Sequence, residues 1–193
     1  MIMNASLTLK YKKQAMHIIL LPGDKISFGR DQTNDVRLAL FPLEEYVLQS
    51  ATADISRKHF EIYRENNRYW IQDVGSTNGT SLNCIALLTK AKPLSPSHII
   101  DVGGVLEMKI IMKNDTLWLH RINNVPQESY LLFSKEITIG NTEENTLCFT
   151  EESTQEYQAK IFYKGDNTYW IELKKGKILI EQNPLNVDDP CCL

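Results

Sequence analysis

The chain has 193 residues and a mass of 22.2 kDa; 42% of the residues are apolar and 23% charged. This balance excludes a wholly disordered polymer and allows one large domain or two of about 100 residues each. A formal net charge of −3 and a pI near 5.8 disfavour a nucleic-acid backbone as the partner of the chain as a whole. The longest apolar stretch, residues 15–21, falls far short of the roughly 20 residues that a bilayer requires, so no membrane insertion is expected. Lys10, Lys12 and Lys13 ahead of it give a faint likeness to a signal peptide. No small-residue cleavage site follows, and Pro22-Gly23 reads as a turn, so secretion is not expected. Cys84, Cys148, Cys191 and Cys192 show no Cys-x-x-Cys spacing and the four histidines stand singly, so no zinc site is expected and a reducing interior fits. Cys191-Cys192-Leu193 does not fit a Cys-a-a-X box, whose cysteine would stand at Pro190, and reads as a frayed end.

In chain order, residues 18–21 and 25–28 are short runs rich in β-branched and aromatic residues, split by Pro22-Gly23, and read as strands. Residues 42–50 are the helix candidate: a proline at the first turn leaves no N–H unpaired, and Glu44 and Glu45 suit the positive end of a helix dipole. Residues 59–63 and 69–72 read as strands joined by an Asn66-Asn67 turn, and Gly75-Ser76-Thr77-Asn78-Gly79 as a further turn. Residues 99–102 and 105–112 read as closing strands. The spacing is that of an all-β sandwich.

The pattern repeats. Lys25-Ile26-Ser27-Phe28-Gly29-Arg30 returns 111 residues on as Glu136-Ile137-Thr138-Ile139-Gly140-Asn141. Arg68-Tyr69-Trp70-Ile71 returns 100 residues on as Thr168-Tyr169-Trp170-Ile171, and Glu61-Ile62-Tyr63 aligns at the same offset with Ile161-Phe162-Tyr163. The difference of eleven puts an insertion of about that length in the first copy, between Leu38 and Ser56. Two copies of one β domain are expected, residues 1–113 and 114–193, with the boundary at Lys113-Asn114-Asp115 and with 1–113 unfolding as one cooperative unit. Residues 179–185 resemble 81–87; the first copy then runs on through two closing strands, whereas the second has only eight residues left. The second copy is therefore expected to be shortened at its C-terminus, as a fragment of a longer protein or as a sheet completed by something else.

Three loops of the first copy carry the chemistry: Gly29-Arg30-Asp31-Gln32-Thr33-Asn34-Asp35, Ser56-Arg57-Lys58-His59 and Asp73-Val74-Gly75-Ser76-Thr77-Asn78-Gly79. An arginine offers a planar, permanently charged fork of donors that suits a phosphate, and a serine hydroxyl can add a short hydrogen bond. With Gly-Arg, Ser-x-x-His and Asn-Gly in this order between strands, residues 7–112 resemble a forkhead-associated (FHA) domain, a β-sandwich that binds phosphothreonine. Residues 116–193 resemble it by strand pattern only.

The resemblance implies that Arg30 and Ser56 are phosphate ligands and that Arg57 makes a further contact. Thr77 would line the phosphate and methyl pocket, and Asn78 would hold the peptide main chain. His59 would brace the loops, with Gly29 and Gly79 there for backbone geometry. Asp31, Asp35 and Asp73 would repel a bare anion. In the second copy Asn141 stands for Arg30, Glu156 for Ser56, Ala159 for His59 and Ile178 for Asn78, so that copy should be silent toward phosphate. The expected role is a non-enzymatic, cytoplasmic module of Ser/Thr-kinase signalling that binds phosphothreonine proteins without cofactor, metal or nucleic acid. The alternative is a tandem FHA scaffold forming the cytoplasmic N-terminal part of a larger assembly, for the arrangement resembles that of type VII secretion membrane ATPases.

Overall fold

Runs that alternate apolar and polar residues bury one face of each strand, and here the buried positions follow that alternation closely, as in Lys25-Ile26-Ser27-Phe28 and Arg68-Tyr69-Trp70-Ile71. The computed structural model describes residues 5–11, 14–40, 45–88, 90–123, 128–149, 158–165, 168–175, 179–180, 183–184 and 191–192. The chain divides into two units, Met1–Leu132 and Phe133–Leu193.

The elements of the first unit are β1 (Ala5–Tyr11), β2 (Gln14–Pro22), β3 (Lys25–Gly29), β4 (Val36–Arg37), α1 (Tyr46–Thr52), β5 (Phe60–Glu65), β6 (Arg68–Asp73), β7 (Thr80–Leu82), β8 (Ile85–Ala86), β9 (Lys92–Pro93), β10 (Ile99–Val102), β11 (Leu106–Lys113), β12 (Thr116–Arg121) and β13 (Ser129–Phe133), whose last residue opens the second unit. One sheet runs β4-β3-β5-β6-β9, the other β1-β2-β13-β12-β11-β10-β7-β8. Their apolar faces share one core, in which Phe28 stacks on Phe60 at 4.6 Å and meets the edge of Tyr130 at 6.2 Å. The all-β expectation holds.

Two expectations need correction. The helix spans Tyr46–Thr52 rather than 42–50; Pro42 and Glu44 lie outside the described residues. Thr52 holds the later turn in place, because its hydroxyl donates to Leu48 O at 2.8 Å and accepts from Leu40 N at 3.0 Å. The unit boundary also falls nearly twenty residues beyond Asn114. Asn114 and Asp115, with φ of 48° and 59°, are the tight turn of a β11–β12 hairpin and not a linker. Leu117, Leu119, Tyr130 and Leu132 then enter the core of the first unit. Arg121, fully buried, ties the same hairpin to Glu128 at 3.1 Å and to Ala39 O at 2.8 Å, and the Tyr130 hydroxyl donates to Glu128 at 2.8 Å.

The second unit contains β14 (Glu136–Gly140), β15 (Leu147–Cys148), β16 (Ala159–Gly165), β17 (Thr168–Leu173), β18 (Leu179–Ile180), β19 (Asn183–Pro184) and β20 (Cys191–Cys192). Its sheet order, β15-β14-β16-β17-β20, repeats β4-β3-β5-β6-β9, including the parallel first pair. Cys191–Cys192, expected to fray, pairs with β17 as β9 pairs with β6. The register also shows a slip of one residue: Ile137 faces Ile161 as Ile26 faces Ile62, so Ile161 and not Phe162 matches Ile62. An irregularity between Tyr163 and Gly165 absorbs the extra residue before Ile171 resumes the offset of 100.

Candidate functional site

The loops after β3, before β5 and after β6 meet at one end of the first unit, and backbone bonds set their spacing. Arg30 N donates to Ser56 O at 3.0 Å and Asp31 N to Arg57 O at 3.2 Å. Asn34, 5% exposed, donates from Nδ2 to Arg57 O at 2.7 Å and to Asp31 O at 2.8 Å. Gly29 lies where the first two loops cross: a Cβ there would come within 2.2 Å of Arg57 O, a backbone atom that cannot swing away. Gly29→Ala is therefore expected to destabilise the unit by about 1–3 kcal/mol and to part the two loops, checked by denaturant unfolding.

His59 is fully buried and its ring braces the second loop against the third. Its Nδ1 accepts from Ser56 N at 2.9 Å, so the proton sits on Nε2, which donates to Gly79 O at 3.0 Å. Burial lowers its pKa from the usual 6.5, against opposing contributions from Gly79 O and Asp73. The folded imidazole thus binds a proton less readily than the unfolded one. Its stabilisation is complete above about pH 6.5 and is lost as pH falls through the folded value. His59→Gln should flatten the loss of thermal stability on acidification below about pH 6.5; an unchanged slope in unfolding scans would contradict this. His120, also lowered by burial, remains in both proteins as the common background.

The third loop is built on Asp73. Its Oδ1 accepts from Gly75 N at 2.9 Å and Ser76 N at 2.8 Å, and its Oδ2 from the hydroxyls of Ser76 at 2.5 Å and Thr80 at 2.6 Å. Burial alone would raise this carboxyl, but these hydrogen bonds prevail and its pKa is lowered. Asp35 is tied to Ser27 N and Oγ at 2.9 and 2.6 Å, and Asp31 accepts from Thr33 N at 2.9 Å. Each of the three carboxylates is engaged in holding backbone, and the lowered pKa of Asp31 and Asp73 means that these two keep their negative charge while doing so.

Arg30, Arg57, Thr77 and Asn78 are exposed above this scaffold and Ser56 is half-buried. Ser56 Oγ accepts from Thr77 N at 2.8 Å, which leaves its own proton for donation; its nearest acceptor, Thr77 Oγ1, is a loose 3.4 Å away. Asn78 donates from Nδ2 to Asp54 O at 3.1 Å and Asp54 Oδ1 at 3.2 Å. The loops thus gather all the residues singled out in the sequence, with Gly79 at φ 81°. Asn34, Asp54, Asp73 and Gly103 were not foreseen as supports. An aspartate just before Gly-Ser is a legible Asx-turn signal. Gly103, whose N donates to Gly79 O at 3.0 Å and whose Cβ would meet Asp54 O at 2.7 Å, had no such signal.

The second unit keeps this scaffold. Asn145 donates to Thr142 O as Asn34 does to Asp31 O, and Phe149 N bonds Gly140 O as Leu38 N bonds Gly29 O. Gln158 N bonds Ile139 O as His59 N bonds Phe28 O, so Gln158 and not Ala159 stands at the brace. Leu173 occupies the register position of Asp73 and Asn141 that of Arg30. Glu156 and Ile178 lie outside the described residues. Among the described residues, no group of three His, Cys, Asp or Glu could hold a metal ion, and no helix is long and apolar enough to cross a membrane.

Residues 26–103 match the family model of the FHA domain, a span that includes all three loops. The chain is 41% identical over 55 residues to the probable E3 ubiquitin-protein ligase dma1 of Schizosaccharomyces pombe, covering 26% of this chain and 21% of that one. It thus spans about a fifth of the length of that curated relative. A structure from a structural and functional analysis of phosphothreonine-dependent FHA domain interactions is 25% identical, with a TM-score of 0.34 over 51% of this chain and 88% of that one. The solution structure of an FHA domain from an Arabidopsis thaliana protein is 27% identical, with a TM-score of 0.35 over 52% and 75%. Residues 26–103 of this chain are an FHA domain.

Proposed function

We propose that the first unit binds phosphothreonine-containing segments of proteins phosphorylated by Ser/Thr kinases, as a cytoplasmic interaction module with no catalytic step of its own. A phosphothreonine brings roughly −1.5 to −2 charges and three strong acceptors. Arg30 would take two of those oxygens with its fork, Ser56 would turn its hydroxyl proton from the long Thr77 Oγ1 contact to the phosphate, and Arg57 would add a second cation. Thr77 would face the threonine methyl and Asn78 the peptide main chain. One observation carries the reading: Ser56 Oγ is fixed by Thr77 N at 2.8 Å and gives its own proton only a long 3.4 Å bond, to Thr77 Oγ1, on the loop whose carbonyl anchors Arg30 N.

Calorimetric titration of the full chain with matched peptides tests it. Phosphothreonine should bind at least about fivefold tighter than phosphoserine, since one enclosed methyl is worth about 0.8 kcal/mol by area and more where its loss leaves a void. The unphosphorylated peptide should give no binding; equal binding of all three would contradict the proposal.

The repeated scaffold around Asn145 favours a second, compatible reading of the other unit: a degenerate FHA-like copy, silent toward phosphate, that makes the chain a tandem scaffold. This is the arrangement the resemblance to type VII secretion ATPases suggests. The same titration reads it as stoichiometry: one peptide per chain is expected, and two equivalent sites would contradict it.

A further inference from the structure

We infer that Asp54 is a positioning residue for Asn78: it turns the carboxamide so that the oxygen, an acceptor, is the end left for the bound peptide, which must answer with a main-chain N–H. The inference rests on the phosphothreonine reading and adds to it the polarity of that contact. A carboxamide carries two donors on its nitrogen and an acceptor on its oxygen, and either end can face a peptide backbone. Here the nitrogen is taken: Asn78 Nδ2 donates to Asp54 O at 3.1 Å and to Asp54 Oδ1 at 3.2 Å. Among the described residues, Asn78 Oδ1 has no hydrogen-bond partner, and the side chain is exposed. Turning the carboxamide over would set that oxygen against two acceptors and forfeit both hydrogen bonds.

The segment between Leu38 and Ser56 puts Asp54 in this place. Past α1 the chain keeps winding in tight turns: Ala53 N donates to Ser50 O at 2.9 Å, Asp54 N to Ala51 O at 3.0 Å and Ile55 N to Thr52 O at 3.2 Å. Ile55, fully buried, anchors the next residue in the core. From the other side Gly103 comes so close that a Cβ there would meet Asp54 O at 2.7 Å, and its N–H donates to Gly79 O at 3.0 Å, next to Asn78. The backbones of Asp54 and of the residue after Asn78 thus lean on one glycine, which sets the separation of the two side chains. By charge alone a carboxylate here would weaken phosphate binding, whereas as the holder of Asn78 it strengthens it; the two roles carry opposite signs.

The test titrates the full chain with a phosphothreonine peptide and with versions in which one main-chain amide near the phosphothreonine is replaced by an ester, which removes the N–H and nearly keeps the chain geometry. One ester should bind about three- to tenfold weaker than the all-amide peptide, as loss of one net hydrogen bond gives. Asn78→Ala should bind that ester and the all-amide peptide alike, which identifies the partner of the N–H. Asp54→Ala should bind the all-amide peptide about three- to tenfold weaker than wild type and cut the ester's penalty by about half or more. Asp54→Asn, which drops the charge and keeps an acceptor for Asn78 Nδ2, should restore both. No ester that weakens binding, an ester penalty undiminished in Asp54→Ala, or tighter binding by both Asp54 variants would overturn the positioning role while leaving the phosphothreonine reading standing. No binding of the all-amide phosphopeptide to the wild-type chain would overturn both.

Discussion

Arg30→Ala should lower affinity for a phosphothreonine peptide at least about tenfold while leaving thermal stability essentially unchanged. The two effects separate because the loop is held by the Arg30 backbone, N to Ser56 O at 3.0 Å, whereas the side chain is exposed. Hydrogen bonds to charged groups contribute about 1.5–3 kcal/mol each, and removing a two-pronged contact loses more than one of them. Arg30→Lys keeps the charge and loses the fork, so it should fall between wild type and alanine. Calorimetry beside a thermal melt checks both halves. Unchanged affinity would remove Arg30 from the site; a large drop in stability would mean that the side chain supports the fold.

Residues 1–113 alone should fail to unfold cooperatively, whereas 1–132 should do so. The shorter fragment loses Leu117, Leu119, Tyr130 and Leu132 from the core, together with the buried Arg121–Glu128–Ala39 network. Large core residues cost about 2–5 kcal/mol each when truncated, against a total stability of about 5–15 kcal/mol. In the full chain, Tyr130→Ala should cost about 3–5 kcal/mol, as it removes the ring packed on Phe28 and the hydroxyl bonded to Glu128. Urea titrations of the two fragments check the first expectation. Matching cooperative transitions for 1–113 and 1–132 would place the hairpin outside the folding unit.

The parts of this molecule that were legible in the sequence are those fixed by short-range patterns. Residues 25–28, 59–63, 69–72 and 99–102 alternate over a few positions, and all lie in or beside strands of the expected places. The three loops were legible because Gly-Arg, Ser-x-x-His and Asn-Gly are compact and ordered. What escaped depends on pairing at a distance. Asn114-Asp115 has the composition of a linker and of a hairpin turn alike, and only the packing of Tyr130 on Phe28 decides between them. The one-residue slip in β16 leaves hydrophobicity intact, so it moved the residue at the brace from Ala159 to Gln158 without any compositional trace. At Asp73 the Asx turn to Gly75 and Ser76 has a local signal, but nothing local says that the Thr80 hydroxyl, seven residues on, converges on the same carboxylate.

Backbone amide chemical shifts of the isotope-labelled full chain, followed during titration with a phosphothreonine peptide, test the central claim most directly. The amides of Arg30, Ser56, Arg57, Thr77 and Asn78 should move together and saturate with one affinity, while those of Asn141, Thr142, Asn145 and Gln158 stay in place. Shifts centred on the second unit, or equal shifts with the unphosphorylated peptide, would contradict the account.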